Sequence, residues 1–432
     1  MMTIRRSPAA DERGAILVQA AIAILVLTAL ATFVVDHGVL WVSRGQAQNA
    51  ADAGALSGAI ARLYDEPANP PASNGKAFAS ATGAAVANTV WTAAPTAQVS
   101  WACPPGVSGS CARVDVYRNG EFGSTPLPTI FGTLLNVSSQ GVRATATAQV
   151  ASGNSVKCML PFAVIDRWAD NYDPTPVTTF FPNDNLTGTA GWTPNDSYQP
   201  TTSPADVYIP PYAGNAGHTG WKVTADYGRQ LILKEGSSGN YSSGWSQLVC
   251  LSGAANCGGS DIASWLTTCN PQAVGIASAG NACTDGDESH GCIDVKSGGV
   301  VGPVAAGVNT LVASDPAVWN PSADGPGGPG KGAVTGGKGM SSPRIRGIVV
   351  LDINHYVASG CSGGTCVGKV ANIIGFFLEG ICNTVALDPG LACDQPNKDI
   401  VGRIVTVPGQ DVVGTGGVES NASFLKVVRL VQ

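Results

Sequence analysis

The residues able to do chemistry in this chain fall into a few small groups. Gly360-Cys361-Ser362-Gly363-Gly364 has the spacing of a nucleophile elbow. A serine nucleophile also needs a base and a strained strand–turn–helix setting. The only histidines are His37, His218, His290 and His355, none in a recognisable partner motif, and Cys361 with Cys366 would close the turn as a small disulfide loop. The disulfide loop is the preferred reading over a hydrolase. Gly325–Gly332 (GPGGPGKG) imitates a phosphate loop, but Gly332 stands where Ser or Thr must meet magnesium. Pro326 and Pro329 also remove backbone donors, so Asp324–Gly339 reads as a flexible linker and no nucleotide or other cofactor is expected.

Two acidic groups could offer oxygen to calcium: Asp166, Asp170 and Asp173, and Asp285, Asp287 and Glu288. An EF-hand counted from Asp285 needs Gly and Glu where His290 and Lys296 stand. Acidic turn residues are the commoner reading, with an irregular calcium loop left open. Trp168, Trp192, Trp221, Trp245, Trp265 and Trp319 could stack on sugar rings. Burial in a core is the preferred reading.

All 12 Cys lie beyond residue 100, which reads as structural disulfides in an oxidising compartment. Short loops cost little to close, so the pairs expected are Cys103–Cys111, Cys250–Cys257, Cys283–Cys292, Cys361–Cys366 and Cys382–Cys393. Cys158 and Cys269 are left as one long pair. A net charge of −6 without a basic patch argues against nucleic acid as a partner. Gly 55 and Pro 28, with only 12% charged residues, favour β-rich, loop-heavy architecture over a helical bundle.

These groups hang on one element. Gly14–Val35 is a single apolar run that as a helix would be roughly 33 Å long, enough to cross a ~30 Å hydrocarbon core. Arg5, Arg6 and Arg13 precede it, while Arg44 is the only basic residue close behind. The positive-inside bias puts the amino terminus in the cytoplasm and the rest outside. A cleaved signal peptide is the alternative, but its apolar core would be shorter, and Val34-Val35-Asp36-His37 is a poor cleavage site. Beyond Asp36, Ala50, Gly54 and Gly58 recur every four residues, with Ala47 and Ala51 beside them. Such spacing forms a flat groove for another helix, within the chain or in another subunit. Arg44, Gln48 and Asp52 form a polar stripe alongside. If the groove meets a partner, replacing Gly54 and Gly58 by Leu should abolish the contact and spare the fold.

The segment RGAILVQAAIAILVLTALATFVVDHGVLWVSRGQAQNAADAGALSGAIA resembles the amino-terminal part of the TadE/TadG-like proteins of bacterial Flp (Tad) pilus assembly. The features carrying it are Arg-Gly before the run, Asp at its outer end, and the signature from Gln48 to Ala59 with Asp52 inside it. CMLPFAVIDRWADNYDP, VVGPVAAGVNTLVASDPAVWN, SPRIRGIVVLDI and IIGFFLEG also look TadG-like. The resemblance implies a non-enzymatic, single-pass protein of the bacterial inner membrane, with other pilus-assembly proteins, or further copies of itself, as partners through the helix. Pilin-like members carry Glu five residues after the processing Gly; here Gln19 follows Gly14, so the full anchor is expected to be retained. Some TadG-like proteins carry a D-x-S-x-S metal motif; Asp352-Ile353-Asn354-His355-Tyr356 lacks both serines.

The fold class expected is α+β, in five parts: a cytoplasmic tail (1–13), a transmembrane helix (14–36), a juxtamembrane helix (37–66), a small α+β unit (67–155) and a β-rich body (156–432). Within them Gly75–Asn88 and Leu127–Leu135 read as helices. Thr96–Trp101, Ala112–Tyr117, Gln140–Val150, Gly220–Thr224, Gln230–Lys234, Gly347–Asp352, Arg403–Val407 and Phe424–Val431 read as strands. Ile373–Leu378 fits either state. An envelope glycan-binding module using the tryptophans is the alternative function.

Overall fold

Helix α1 (Arg13–Tyr64) is one uninterrupted rod of 52 residues. At the standard rise it is ~78 Å long. As expected, the transmembrane helix continues past Asp36 into the juxtamembrane helix, because no proline interrupts the chain until Pro67 and the Ala-rich half offsets the cost of its glycines. The computed structural model describes residues 13–64, 71, 74–107, 110–169, 171, 198–235, 245–251, 257–296, 301–328, 330–360, 366–389, 391, 393, 396–408, 412–413 and 417–431.

Helix α2 (Lys76–Ala87) and the antiparallel strands β1 (Thr96–Ser100), β2 (Ser110–Arg118) and β3 (Val142–Ser152) pack on the second half of α1. This core is made of small side chains, with Ala47, Ala51, Ala55 and Ala59 against Ala81, Ala85, Val114 and Ala148. The helix expected at Leu127–Leu135 is instead a two-residue strand, Leu127–Pro128, paired with Ser139–Gln140, followed by a 3-10 turn at Gly132–Leu135. Pro128 biases Leu127 toward extended backbone, in keeping with the strand found there.

The body contains β4 (Phe162–Ile165), α3 (Val223–Asp226), β5 (Gln230–Glu235), β6 (Trp245–Val249), α4 (Gly259–Thr267), β7 (Cys292–Lys296) and α5 (Val301–Ala313). It continues through β8 (Ile345–Leu351), α6 (Ile353–Ala358), β9 (Cys366–Ile381), β10 (Ile400–Val405) and β11 (Val407–Pro408). Where a strand was expected at Gly220–Thr224 the chain turns into α3, because the Asp226 carboxylate accepts from the Lys222 N–H and folds the backbone back. Ile373–Leu378 lies inside β9 and is strand.

The pairings β9–β8–β4–β6–β5–β10 return to β9, so the main sheet closes on itself. Strand β7 bridges β9 and β6. Alternate residues face opposite ways. Phe162, Val164, Ile348 and Val350 pack with α4 and α5 through Ile262, Leu266 and Val308, whereas Ala163, Ile165, Val349 and Leu351 line a second core with Trp168 and Tyr356. The linker expected at Asp324–Gly339 is packed. A Cβ on Gly327 would lie 2.1 Å from the Tyr227 ring, and one on Gly332 would lie 2.2 Å from Trp319. Glycine is needed there for close approach, and the sequence signal for it is the same as for a loose tether.

Disulfides join Cys103–Cys111, Cys158–Cys269, Cys250–Cys257, Cys283–Cys292 and Cys382–Cys393. Cys366 is also disulfide-bonded, and Cys361 lies outside the described residues. The last strand, β12 (Leu425–Val431), leaves the body and pairs antiparallel with β3, and β11 pairs with it in parallel. The small sheet thus runs β1-β2-β3-β12-β11 and crosses the division expected at residues 155/156. Removing residues 426–432 would uncover the β3 edge from Thr147 to Ser152. The expected result is new protease cleavage within 74–155 under native conditions. An unchanged digestion pattern there would show that the small unit stands without its returning strand.

Candidate functional site

Helix α1 meets two surroundings along its length. Ile16, Leu25 and Phe33 in its first half are each more than 60% exposed, and among the described residues this is the one helix long and apolar enough to cross a membrane. From Asp36 onward one face is buried beneath the chain itself.

The junction is made by Asp36, which is 7% exposed. Its carboxylate accepts the backbone N–H groups of Ile130 at 2.7 Å, Phe131 at 3.4 Å and Gly132 at 2.6 Å. Gln140 Nε2 donates to its backbone carbonyl at 3.1 Å. Gly132 lets the turn approach closely, since a Cβ there would sit a tight 3.1 Å from Asp36 Oδ2 and 3.0 Å from the Val137 carbonyl. Further along, Gln46 Oε1 accepts from Trp91 N at 2.7 Å, and Gln48 Nε2 donates to Thr145 O at 3.3 Å. Arg62 donates to Cys111 O at 2.7 Å and lies over the Trp101 ring. The second half of the helix is thereby fixed to the small unit at Asp36, at Arg62 and between. Asp36 was legible only as the outer end of the apolar run. The signal for its role is a carboxylate at the edge of an apolar stretch, where it must find donors.

Ala47, Ala50 and Ala51 are fully buried, and Gly54 and Gly58 are closed over by α2. A Cβ on Gly54 would lie 2.9 Å from Ala81 O and Ala85 Cβ; one on Gly58 would lie 2.8 Å from Ala81 Cβ. Asp52 is half-buried and accepts from Gln48 at 2.8 Å. The groove is filled by the chain's own second helix. The expectation that Leu at both glycines spares the fold is therefore reversed, because each side chain would be driven into α2.

The other candidates disperse. Ser362 and Cys361 lie outside the described residues, as do Asp170, Asp173 and Trp192. Asp287 caps the turn at Glu288–His290, and hydrogen bonds from Ser289 and His290 hold its carboxyl down at about 2. Trp168 and Trp221 are buried; Trp265 and Trp319 are partly so. Among the described residues no three or more His, Cys, Asp or Glu side chains are grouped to hold a metal ion.

Asp166 and Asp352, each singled out separately in the sequence, fall in one buried polar region, a proximity that was not foreseen. Asp166 and Asp352 follow the ends of the neighbouring parallel strands β4 and β8. Asp166 accepts from Arg167 N at 2.9 Å, Trp221 N at 3.1 Å and the Tyr208 hydroxyl at 3.0 Å. Asp352 caps α6 through His355 N at 3.0 Å. Burial, reinforced by the Asp352 charge, raises Asp166 from its ordinary 3.8 to about 7.

Two outcomes follow. Gly54→Leu with Gly58→Leu should destabilise the small unit by ~1–3 kcal/mol per site through overpacking, read as a lower unfolding midpoint and less recovered protein. Asp166 contributes stability that is fully present below pH ~4 and lost as pH rises through about 7. Asp166→Asn imitates the protonated acid, so the midpoint difference between variant and parent should move in the variant's favour from pH 4 to pH 8. A constant difference would remove Asp166 from the pH dependence.

A family model described as Flp pilus-assembly TadE/G-like matches residues 14–61. No curated protein and no solved structure matches the chain. The matched segment coincides with α1 from its apolar run through the face that receives α2. Over this helix, the chain is similar to the TadE/G-like Flp pilus-assembly family.

Proposed function

We propose that the chain is a non-enzymatic component of Flp-type pilus assembly, anchored once in the bacterial inner membrane with its body outside the cytoplasm. The observation that carries this reading is the coincidence of the matched segment with a single rod, bare and apolar in one half and clamped to the small unit in the other. The orientation rests on Arg5, Arg6 and Arg13 before the apolar run, and an oxidising exterior fits the disulfides.

Because α2 fills the small-residue groove, partner proteins would meet α1 elsewhere. Surfaces left for this include the membrane run itself and the strip of Gly38, Trp41, Val42, Gly45 and Asn49, all exposed. A second copy could use the same surfaces. Protease added to spheroplasts should digest the body and leave a short protected amino-terminal fragment, and a deletion strain should lose surface pili. Recovery of the body as a soluble species would reject the anchor; normal piliation in the deletion strain would reject the assembly role.

A further inference from the structure

We propose that the turn at 129–137 is a second membrane contact, resting in the outer headgroup–acyl boundary of the bilayer that α1 crosses. The inference rests on the anchor reading and adds a surface to it.

Level is the first argument. Val35 ends the apolar run, and Ile130, Phe131 and Gly132 are hydrogen-bonded to the very next side chain. The turn is held at the height where hydrocarbon gives way to headgroups. It is also internally closed, with Val137 N donating to Gly132 O at 2.9 Å and Thr129 Oγ1 donating to Val137 O at 2.5 Å.

Its composition is the second argument. Ile130 and Val137 are 52% and 51% exposed among the described residues. No Asp, Glu, Lys or Arg occurs from Phe122 to Val142. Trp41, 69% exposed, stands just past Asp36 on the helix, the level at which tryptophan favours a bilayer. An apolar, uncharged surface continuous with the lipid-facing run fits the lipid interface.

The Asp36 clasp makes this placement tenable. A bare carboxylate at the edge of hydrocarbon and bare N–H groups in a turn are each costly there, and pairing them satisfies both. The turn and the end of the run thus reach the interface as one unit.

The test uses the full chain in phosphatidylethanolamine–phosphatidylglycerol nanodiscs containing a phospholipid with a diazirine high on its acyl chain. After illumination, adducts are mapped by mass spectrometry. Adducts should appear on the 127–140 region as well as on 14–35. Adducts on 14–35 alone would overturn the second contact and leave the anchor standing; adducts on neither would overturn both. Asp36→Ala should reduce the turn's adducts several-fold while those on 14–35 persist. Ile130→Ser with Val137→Ser, substitutions at exposed positions, should do the same without altering the disulfides. Undiminished turn adducts in both variants would overturn the role of the clasp and of these side chains.

Discussion

One helix has to satisfy two solvents, and the rest of the architecture answers that demand. Up to Val35 the rod shows apolar side chains on all sides, while from Asp36 on it needs a covered face. The change falls at a carboxylate, which is most costly at an apolar edge unless hydrogen bonds reach it. Bonds to a charged group contribute ~1.5–3 kcal/mol each, enough that three backbone donors fix the turn to the helix. Since Gln46, Gln48 and Arg62 add further ties along the rod, the small unit has little freedom to swing about the membrane segment.

The body is tied back to that rod by topology. The closed main sheet needs no help with its edges, yet the chain leaves it at β10 and adds β11 and β12 to the small sheet. A strand formed by the last residues thereby covers the β3 edge, which would otherwise be open to pairing with other chains. The Cys158–Cys269 link, with a separation of 111 residues, closes a far longer loop than the others. In the chain-entropy account such a link restricts the unfolded chain by ~4–5 kcal/mol against ~2–3 for loops of about ten residues.

Legibility followed the range of the interactions. The apolar run, α2, and the strands at β1, β2, β3, β5, β8 and β12 could be read because local pattern determines them. The short strands β4 and β6 were not recognised, since they are defined by pairing with neighbours distant in sequence. Gly325–Gly332 shows the same limit from the other side. Glycine marks both a loose tether and a backbone pressed against Tyr227 and Trp319, and only the neighbours distinguish them. The Asp36 clasp, spanning 94 to 96 residues, had no local signature beyond an acid at the end of an apolar stretch.

The reach of the family match has a physical reading of the same kind. Close packing of α1 on α2 requires a missing side chain at Gly54 and Gly58, and Ala47, Ala51 and Ala55 lie buried in the same core at helical spacing. That requirement prescribes particular residues at particular positions. The cores of the main sheet need only apolar side chains of suitable volume on alternate positions, which many sequences supply. The matched segment joins that packed face to the bare apolar run before Asp36, where only apolar character is needed. The match from 14 to 61 ends at Ala61, the last buried alanine of that helix.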